Sequence, residues 1–200
     1  MFETDQQSPP PSGARERILA TAYELFTHRA IRDVGVDELI QTAGVANATF
    51  YRHFHSKDEL VLAVLERREQ LFTLGTVEQE ARRRGESPRE RLLAIFDIYD
   101  DWFHRDDYEA CSFVHVLLEM GPTHPLGQAS VEHLARIRSI VKQFAIEAGL
   151  YAVEEFTRAW HILMKGSIVL AAEGDKNAAR VARDMAGMLI DRHSSPLPGH

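Results

Sequence analysis

The chain has 200 residues, of which 44% are hydrophobic, with a formal net charge of −7 and a single cysteine, enough apolar content to bury a substantial core. No apolar run approaches the ~18 residues of a membrane span, and the N-terminus lacks the basic and apolar regions of a signal peptide, so we expect a cytoplasmic protein. Cys111 alone cannot form an internal disulfide, which agrees with a reducing compartment.

Apolar residues recur at helical spacing along most of the chain, and no segment has the alternation typical of a strand. The Pro- and Ser-rich ends, residues 1–13 and 193–200, are predicted to be disordered tails. A first amphipathic helix is predicted over 14–28, a second over about 36–43 and a third over about 47–53. In the third helix, Phe50 and Phe54 should turn inward to meet Leu60, Val61 and Val64.

The start of the fourth helix has a recognisable signal. Ser56 followed three residues later by Glu59 is the pattern of a capping box, so this helix should begin at Lys57. We expect it to run through Arg68 and Phe72 to about residue 84, or to be interrupted at Gly75. Five longer helices are predicted over about 89–104, 107–120, 124–148, 152–173 and 175–192, with Thr123 before the start at His124-Pro125.

The predicted fold is therefore all-α, with about nine helices in two bundles. Residues 14–68 should form an N-terminal three-helix helix-turn-helix domain, and residues 69–192 a C-terminal helical bundle. Residues 14–68 contain eight Lys/Arg and eight Asp/Glu, so the negative charge lies elsewhere. Without a broad basic field, any affinity of this region for a polyanion would have to come from a few placed contacts, doubled by dimerisation.

Residues 43–60 read AGVANATFYRHFHSKDEL and carry the most informative chemistry. An apolar helix ends at Ala43, Gly44 supplies a turn of positive φ, and a short helix follows. Its exposed side chains are predicted to be Asn47, Thr49, Tyr51, Arg52 and His53. A recognition helix of this kind enters the major groove of DNA by its N-terminal end.

The residue types fit both base and phosphate contacts. Asn47 can bond adenine, and Arg52 can bond guanine or a phosphate. The hydroxyls of Thr49 and Tyr51 suit phosphate oxygens, and Lys57 adds charge at a helix start. The alternative is an ordinary solvated face.

The pattern G-V-x-x-x-T-F-Y-x-x-F-x-S-K-x-x-L, with the helix before it, closely resembles the TetR family of transcriptional regulators. The resemblance implies a dimeric repressor that responds to a small ligand. It assigns phosphate contacts to Tyr51 and Lys57 and groove contacts to Asn47, Ala48 and Arg52. The chain departs from the family pattern at Ala30, Gly35, Ile40 and Ala46.

Two of these departures affect the predicted interface. Ala46 stands where a serine or threonine usually caps the recognition helix, so Asn47 is expected to serve as the cap. Gly35 replaces a threonine that caps the second helix and touches phosphate, which puts that contact in doubt.

The resemblance also implies that the last two helices form a four-helix bundle with those of a second subunit. Small and apolar residues form a stripe on each of these helices, and the alternative is that both stripes pack on the chain's own core. The predicted dimer interface comprises Trp160, Met164, Ser167, Ile168, Ala171, Ala182, Ala186 and Leu189.

The middle of the chain is the expected place for an effector. Bulky aromatic residues lie near Arg105-Asp106, which separates two predicted helices. A core alone would more often use Leu and Ala there. A cavity for an apolar or amphipathic molecule is therefore predicted. Each residue could instead belong to the core, and Cys111 could be a redox sensor or an inert thiol. The predicted pocket comprises Tyr99, Trp102, Phe103, Cys111, Phe113 and His115.

Parts of the sequence are also compatible with two other classes of function. His115, Glu119, His124 and His133 could form a metal site or a hydrolase in a helical bundle, and the chain could be a helical adaptor for protein. No Gly-rich phosphate loop, nucleophile elbow or Cys-x-x-Cys occurs. We therefore predict no enzyme activity, no cofactor and no metal. The sequence predicts a homodimeric repressor released from a palindromic operator by a small ligand, with activation as the alternative mode.

Overall fold

The structure is a computed structural model that describes residues 13–70, 77–106 and 108–194, and within these ranges it contains helices and no strands. Besides a 3-10 turn at Ile31–Asp33, the helices are α1 (Ala14–His28), α2 (Val36–Thr42), α3 (Asn47–His53), α4 (Lys57–Arg68), α5 (Gln79–Arg84), α6 (Pro88–Phe103), α7 (Ser112–Met120), α8 (Pro125–Glu147), α9 (Val153–Ala172) and α10 (Ala178–His193). The all-α prediction is confirmed. The predicted continuation of the fourth helix through Phe72, or its interruption at Gly75, concerns residues outside the described ranges.

Helices α1 to α4 form the head of the molecule, residues 13–68. Its core gathers the inward stripe of each helix, as the periodicity predicts. Phe50 and Phe54 of α3 are almost fully buried there, with ring centroids 6.2 Å apart. The other buried members are Ile18, Leu19, Ala22, Val34, Leu39, Ala43, Leu60 and Val64.

The start of α4 follows the predicted capping signal with one difference. Ser56 Oγ accepts a hydrogen bond from the Glu59 N–H at 3.1 Å, which fixes the first turn at Lys57. The Glu59 carboxylate accepts from the N–H of His55 at 2.6 Å instead of reaching Ser56. A complete capping box starts α6, where Ser87 and Glu90 bond each other's backbone N–H.

Helices α5 to α10 form the body, residues 77–194. Its core is built around α6, α8, α9 and α10 and is rich in aromatic rings. Trp160 of α9 is fully buried, with its ring centroid 5.2 Å from those of Phe96 and Phe156. Such aromatic pairs contribute packing beyond their buried area.

The head and the body share a buried apolar cluster, which we call the junction cluster. It joins Ile31, Val61 and Leu65 of the head to Phe113, Val116, Leu126 and Leu134 of the body. A carboxylate reinforces it: Glu119 of α7 accepts from the N–H groups of Ile31 at 3.0 Å and Arg32 at 2.9 Å. The orientation of the head is therefore tied to α7.

The helix predicted over 107–120 begins only at Ser112, so that prediction is wrong for residues 108–111. Residues 108–111 form no helix, because Tyr108 and Glu109 bond outside their own segment. The Tyr108 hydroxyl donates to the carbonyl of Ile168 at 2.8 Å. Glu109 accepts from Thr27 at 3.0 Å and from Arg68 at 2.7 Å.

Three further helix ends differ from the prediction. His124, and not Thr123, caps α8, since its Nδ1 accepts from the Leu126 N–H at 3.3 Å. Helix α10 begins at Ala178 because Asp175 Oδ1 accepts from the Asn177 N–H at 2.9 Å, a local bond that competes with helix. His193, placed in the disordered tail by the sequence, belongs to α10 and is buried, with its Nδ1 2.8 Å from the Tyr151 carbonyl.

Next to the junction cluster, His133 of α8 is buried and stacks on Phe113 with the ring planes 7° apart. Its Nδ1 lies 3.4 Å from Glu69 Oε1, and Arg136 also pairs with that carboxylate. Burial lowers the pKa of His133 to about 4 despite Glu69. Burial would raise the pKa of Glu69, but its interactions with Arg136 and His133 together outweigh burial and hold that pKa below its ordinary value.

His133 should make the free energy of unfolding depend on pH. Because its pKa is lower in the folded chain, its contribution is complete above the unfolded pKa near 6.5 and is lost as the pH falls toward 4. For this one group, the expected loss between pH 7 and pH 5 is about 2 kcal/mol. Denaturant unfolding of His133→Gln should show a smaller decline over this interval than the parent chain. His28→Gln, at an exposed site on α1, should leave the decline unchanged, and equal declines in all three proteins would contradict the assignment.

Candidate nucleic-acid interface

Helices α2 and α3 meet at a tight turn centred on Gly44. Gly44 has φ of 61°, in the left-handed region that glycine adopts at little cost, as the sequence predicts. The Val45 N–H donates to the Ile40 carbonyl at 3.3 Å, and the Gly44 N–H donates to that of Gln41 at 3.2 Å, so the end of α2 is closed by backbone bonds. The larger Ile40 is accommodated as a half-buried residue beside this turn.

Helix α3 has one buried face and one open face. Phe50 and Phe54 anchor it to the head core, and the Tyr51 ring meets Phe50 edge to face at 5.3 Å. The open face carries Asn47, Ala48, Tyr51 and Arg52, which are exposed, and Thr49 and His53 are half-buried at its margin. Lys57 is half-buried in the first turn of α4. The structure thus brings the seven predicted DNA-binding residues into one short stretch of surface.

The N-cap residue of α3 is not Asn47, which was expected to cap this helix. Ala46 is the N-cap, with no side-chain bond, and its carbonyl accepts from the Thr49 and Phe50 N–H groups at 2.9 and 3.1 Å. Asn47 lies in the first helical turn, and its amide has no partner within the described part of the chain. The amide is therefore available for a base edge. Gly35 likewise caps α2 without a side-chain bond.

The head is formally neutral, but only some of its basic side chains are paired with carboxylates. Arg29 pairs with Glu38 and Arg67 with Glu16, while Arg32 and Arg68 pair with body carboxylates. Arg52 and Lys57, by contrast, form no ion pair with any residue that the structure describes. The cations on and beside α3 are thus open to an external anion.

One further basic residue beside this surface was not singled out from the sequence. Arg15 of α1 is exposed, and its guanidinium carbon lies 5.2 Å from the centroid of the Phe54 ring at the end of α3. Its placement depends on the packing of α1 across α3, which periodicity alone does not reveal. Arg15 can supply an additional phosphate contact.

The residues predicted for an effector pocket do not lie together. Cys111 and His115 line an open pocket of about 690 Å³, whose other walls come from α9 and from the loop at Ala30–Asp33. Phe113 faces a different groove beside α4 and α8. The remaining three predicted residues pack with Tyr108 in an aromatic cluster of the body core and line neither pocket: Tyr99, Trp102 and Phe103. Those rings fill space against one another instead of surrounding a gap.

The structure places the residues predicted for a dimer interface mostly inside the single chain. Seven of these eight residues are buried within the single chain, and Leu189 is half-buried against the body core. The alternative left open by the sequence, that these stripes pack on the chain's own core, is the one observed. Apolar side chains on the opposite sides of α9 and α10 are exposed instead: Ile162, Val169, Leu170, Val181, Met185 and Met188.

The residues considered for a metal site are engaged elsewhere. Glu119 binds the Ile31 and Arg32 N–H groups, His133 lies against Glu69, and His124 caps α8. Across the described ranges, no three His, Cys, Asp or Glu side chains are grouped to hold a metal ion. Nor does any described helix combine the length and apolar character needed to cross a bilayer.

Comparisons with known proteins agree with this geometry. Residues 18–64 match the family described as bacterial regulatory proteins, tetR family. The transcriptional activator FasR of Mycolicibacterium smegmatis is 35% identical over 97 residues, 48% of this chain and 43% of that one. The transcriptional repressor NemR of Escherichia coli is 34% identical over 82 residues, 41% of each chain. Each match thus spans less than half of the relative's length.

Similarity to a solved structure extends over nearly the whole chain. A TetR-family transcriptional regulator from Streptomyces coelicolor superposes with a TM-score of 0.83, at 24% identity, covering 91% of this chain and 96% of that one. At this identity the likeness shows the shared fold. Both sequence relatives are transcriptional regulators, in agreement with the prediction that the chain is not an enzyme. The family match, the relatives and the helix-turn-helix geometry all indicate that the head of this chain is similar to the corresponding region of the tetR family of bacterial regulatory proteins.

Proposed function

We propose that the protein is a sequence-specific DNA-binding transcriptional regulator, a homodimeric repressor that a small apolar or amphipathic ligand releases from a palindromic operator. The observation that carries this proposal is the open face of α3, where Asn47 and Arg52 are exposed and, like the neighbouring Lys57, have no partner among the described residues. Such a role would be exercised in the cytoplasm, where the chromosome lies.

The open face supports a division of labour between side chains. Asn47 and Ala48 stand in the first turn of α3, which is the end that a recognition helix inserts into the major groove. Tyr51 and Lys57 lie further along, where hydroxyl and ammonium groups suit phosphates. The body carries the excess negative charge and would face away from the duplex.

A dimer is supported by the exposed apolar face of α9 and α10. Besides Val169, which also lines the open pocket, five large apolar side chains are exposed to solvent there, and Ile162 and Met188 are 71% and 68% exposed. A contiguous apolar surface on a soluble protein commonly marks an interface. A two-fold dimer would place two α3 helices for successive major grooves, about 34–36 Å apart.

The junction between head and body supports ligand control. Since Glu119 and Glu109 bond the head from either end of one segment, a displacement of α7 would move α3 relative to the body. A ligand that favours the state with the wrong spacing of the two heads would release the operator, with a coupling of ~1–3 kcal/mol. Repression and activation both occur among the named relatives, and transcription in vitro from an operator-bearing promoter would separate the two modes.

Selection of bound duplexes from random DNA with purified protein tests the proposed class. Enrichment of a palindrome with half-sites about one helical turn apart is expected from a dimer. Recovery of no sequence above background would contradict the proposal.

Substitutions on the open face should separate affinity from specificity. Lys57→Ala should weaken all duplexes similarly and reduce the salt slope of binding by about one unit, because it removes a phosphate contact. Asn47→Ala and Arg52→Ala should each relax preference at one or two base positions, by ~1–3 kcal/mol. Binding titrations at several salt concentrations measure both effects. Lys142→Ala, on the body, should change neither, and a change of base preference caused only by Lys57→Ala would reverse the assignment.

Charges placed on the exposed apolar face should dissociate the dimer without unfolding the chain. Ile162→Asp combined with Met188→Asp introduces two carboxylates at sites that are open in the single chain but desolvated in the proposed interface. Sedimentation should then show monomers, while circular dichroism stays unchanged. Ile146→Asp on α8, which is 53% exposed, is the matched control and should remain dimeric. Persistence of dimers in the double variant would place the interface elsewhere.

A further inference from the structure

The open pocket of about 690 Å³ is built from both parts of the molecule. Two helix faces form its long walls: Val114 and Leu118 lie one turn apart on α7, and Ile168 and Val169 lie on α9. The head closes one end with the loop that contains Arg32. A volume of this size is typical of small-molecule sites, and the walls are mostly apolar.

Lys165 is the cation of this pocket that lacks an acidic partner. It lies one helical turn before Ile168 and Val169 on the same face of α9, and its Nζ donates to Cys111 Sγ at 3.5 Å. No carboxylate in the described part of the chain pairs with it, although Asp33 and Glu119 also line the pocket. Glu119 is already occupied by the Ile31 and Arg32 N–H groups.

The charge of Lys165 also affects its neighbours. Burial is the main cause that lowers the pKa of His161 to about 4, and the Lys165 ammonium adds to it. Lys165 acts in the same direction on His133, whose pKa is also about 4 chiefly through burial. Both imidazoles are therefore neutral near pH 7.

We propose that this pocket binds an amphipathic carboxylate, with the anionic group on Lys165 and an alkyl chain along Val114, Leu118, Ile168 and Val169. This assignment rests on the proposed function and deepens it, since it gives the effector a place and a chemical class. The carboxylate supplies the counter-charge that Lys165 lacks, and the chain covers apolar surface that is open to water, including Leu118, which is 80% exposed.

The position of the pocket explains how a bound ligand would affect the orientation of the proposed DNA-binding surface. One face of α7 carries both the apolar wall and Glu119, whose carboxylate holds the loop leading from α1 to α2. A ligand that displaces α7 relative to α9 would therefore shift the attachment of the head directly. By linkage, the operator would lower the affinity for the carboxylate by the same factor as the carboxylate lowers the affinity for the operator.

Titration calorimetry with the full-length chain tests the pocket independently of DNA. The probes are octanoate, octan-1-ol and octylamine, which share an alkyl chain and differ in head-group charge. Octanoate should bind at least about tenfold more tightly than octan-1-ol, and octylamine most weakly, because a hydrogen-bonded charge contributes about that factor. Lys165→Met should weaken octanoate binding by about tenfold or more and leave octan-1-ol unchanged.

Two matched variants sharpen the test. Lys165→Arg retains the charge and should restore octanoate binding to within a few-fold of the parent chain, which separates loss of charge from loss of fold. Lys142→Met removes a different lysine, exposed on α8 and paired with Glu154, and should bind octanoate normally. Failure of the parent chain to bind octanoate, equal binding by Lys165→Met, or an equal loss in Lys142→Met would each overturn the assignment.

Duplex binding by the parent chain without any probe separates the two claims. If the chain binds a selected operator but not octanoate, the pocket assignment fails and the proposed function stands. If it binds octanoate with the stated dependence on Lys165 but no duplex, the proposed function fails and the ligand site stands. Release of the operator by octanoate, reduced in Lys165→Met, is the outcome expected when both hold.

Discussion

Glu119 is a nearly buried carboxylate that accepts hydrogen bonds from two consecutive backbone N–H groups of the head, those of Ile31 and Arg32. Burial would raise its pKa, but these bonds and the Arg32 guanidinium outweigh burial and lower it, so the group is held charged. Removing such a partner would leave two donors unpaired near the apolar junction. The orientation of α3 therefore depends on where α7 holds this carboxylate.

The helix-turn-helix geometry of α2 and α3 could be predicted from the sequence because its signals are local. Gly44 requires a positive φ, and Ser56 caps the helix that follows, so the bounds of α3 and the start of α4 depend on neighbouring residues. The same reasoning failed at Asn47, since Ala46 can occupy the N-cap position without offering a side-chain acceptor. The capping propensity of a residue indicates how well its side chain would cap a helix, but it does not show which residue occupies the N-cap position.

The body was harder to predict because its helices are apolar on more than one side. On α9, Trp160 and Met164 form one stripe and Ile162 and Val169 another, and periodicity alone does not decide which stripe meets the chain's own core. The residue types contain a hint, since a ring as large as that of Trp160 is highly buried on average. The pocket is a tertiary feature of α7, α9 and a distant loop, so spacing along the chain could locate Cys111 and His115 but not Lys165.

The junction cluster also bears on how the molecule unfolds. Three residues of the head are buried against Phe113 and the other apolar residues of the body, namely Ile31, Val61 and Leu65. Neither part therefore buries all of its apolar surface without the other. Separating them would expose apolar area on both sides, which favours a single cooperative transition over independent melting of two domains. The head is thus attached to the body by a shared apolar core. Motions that reorient the head must be small enough to keep that core buried.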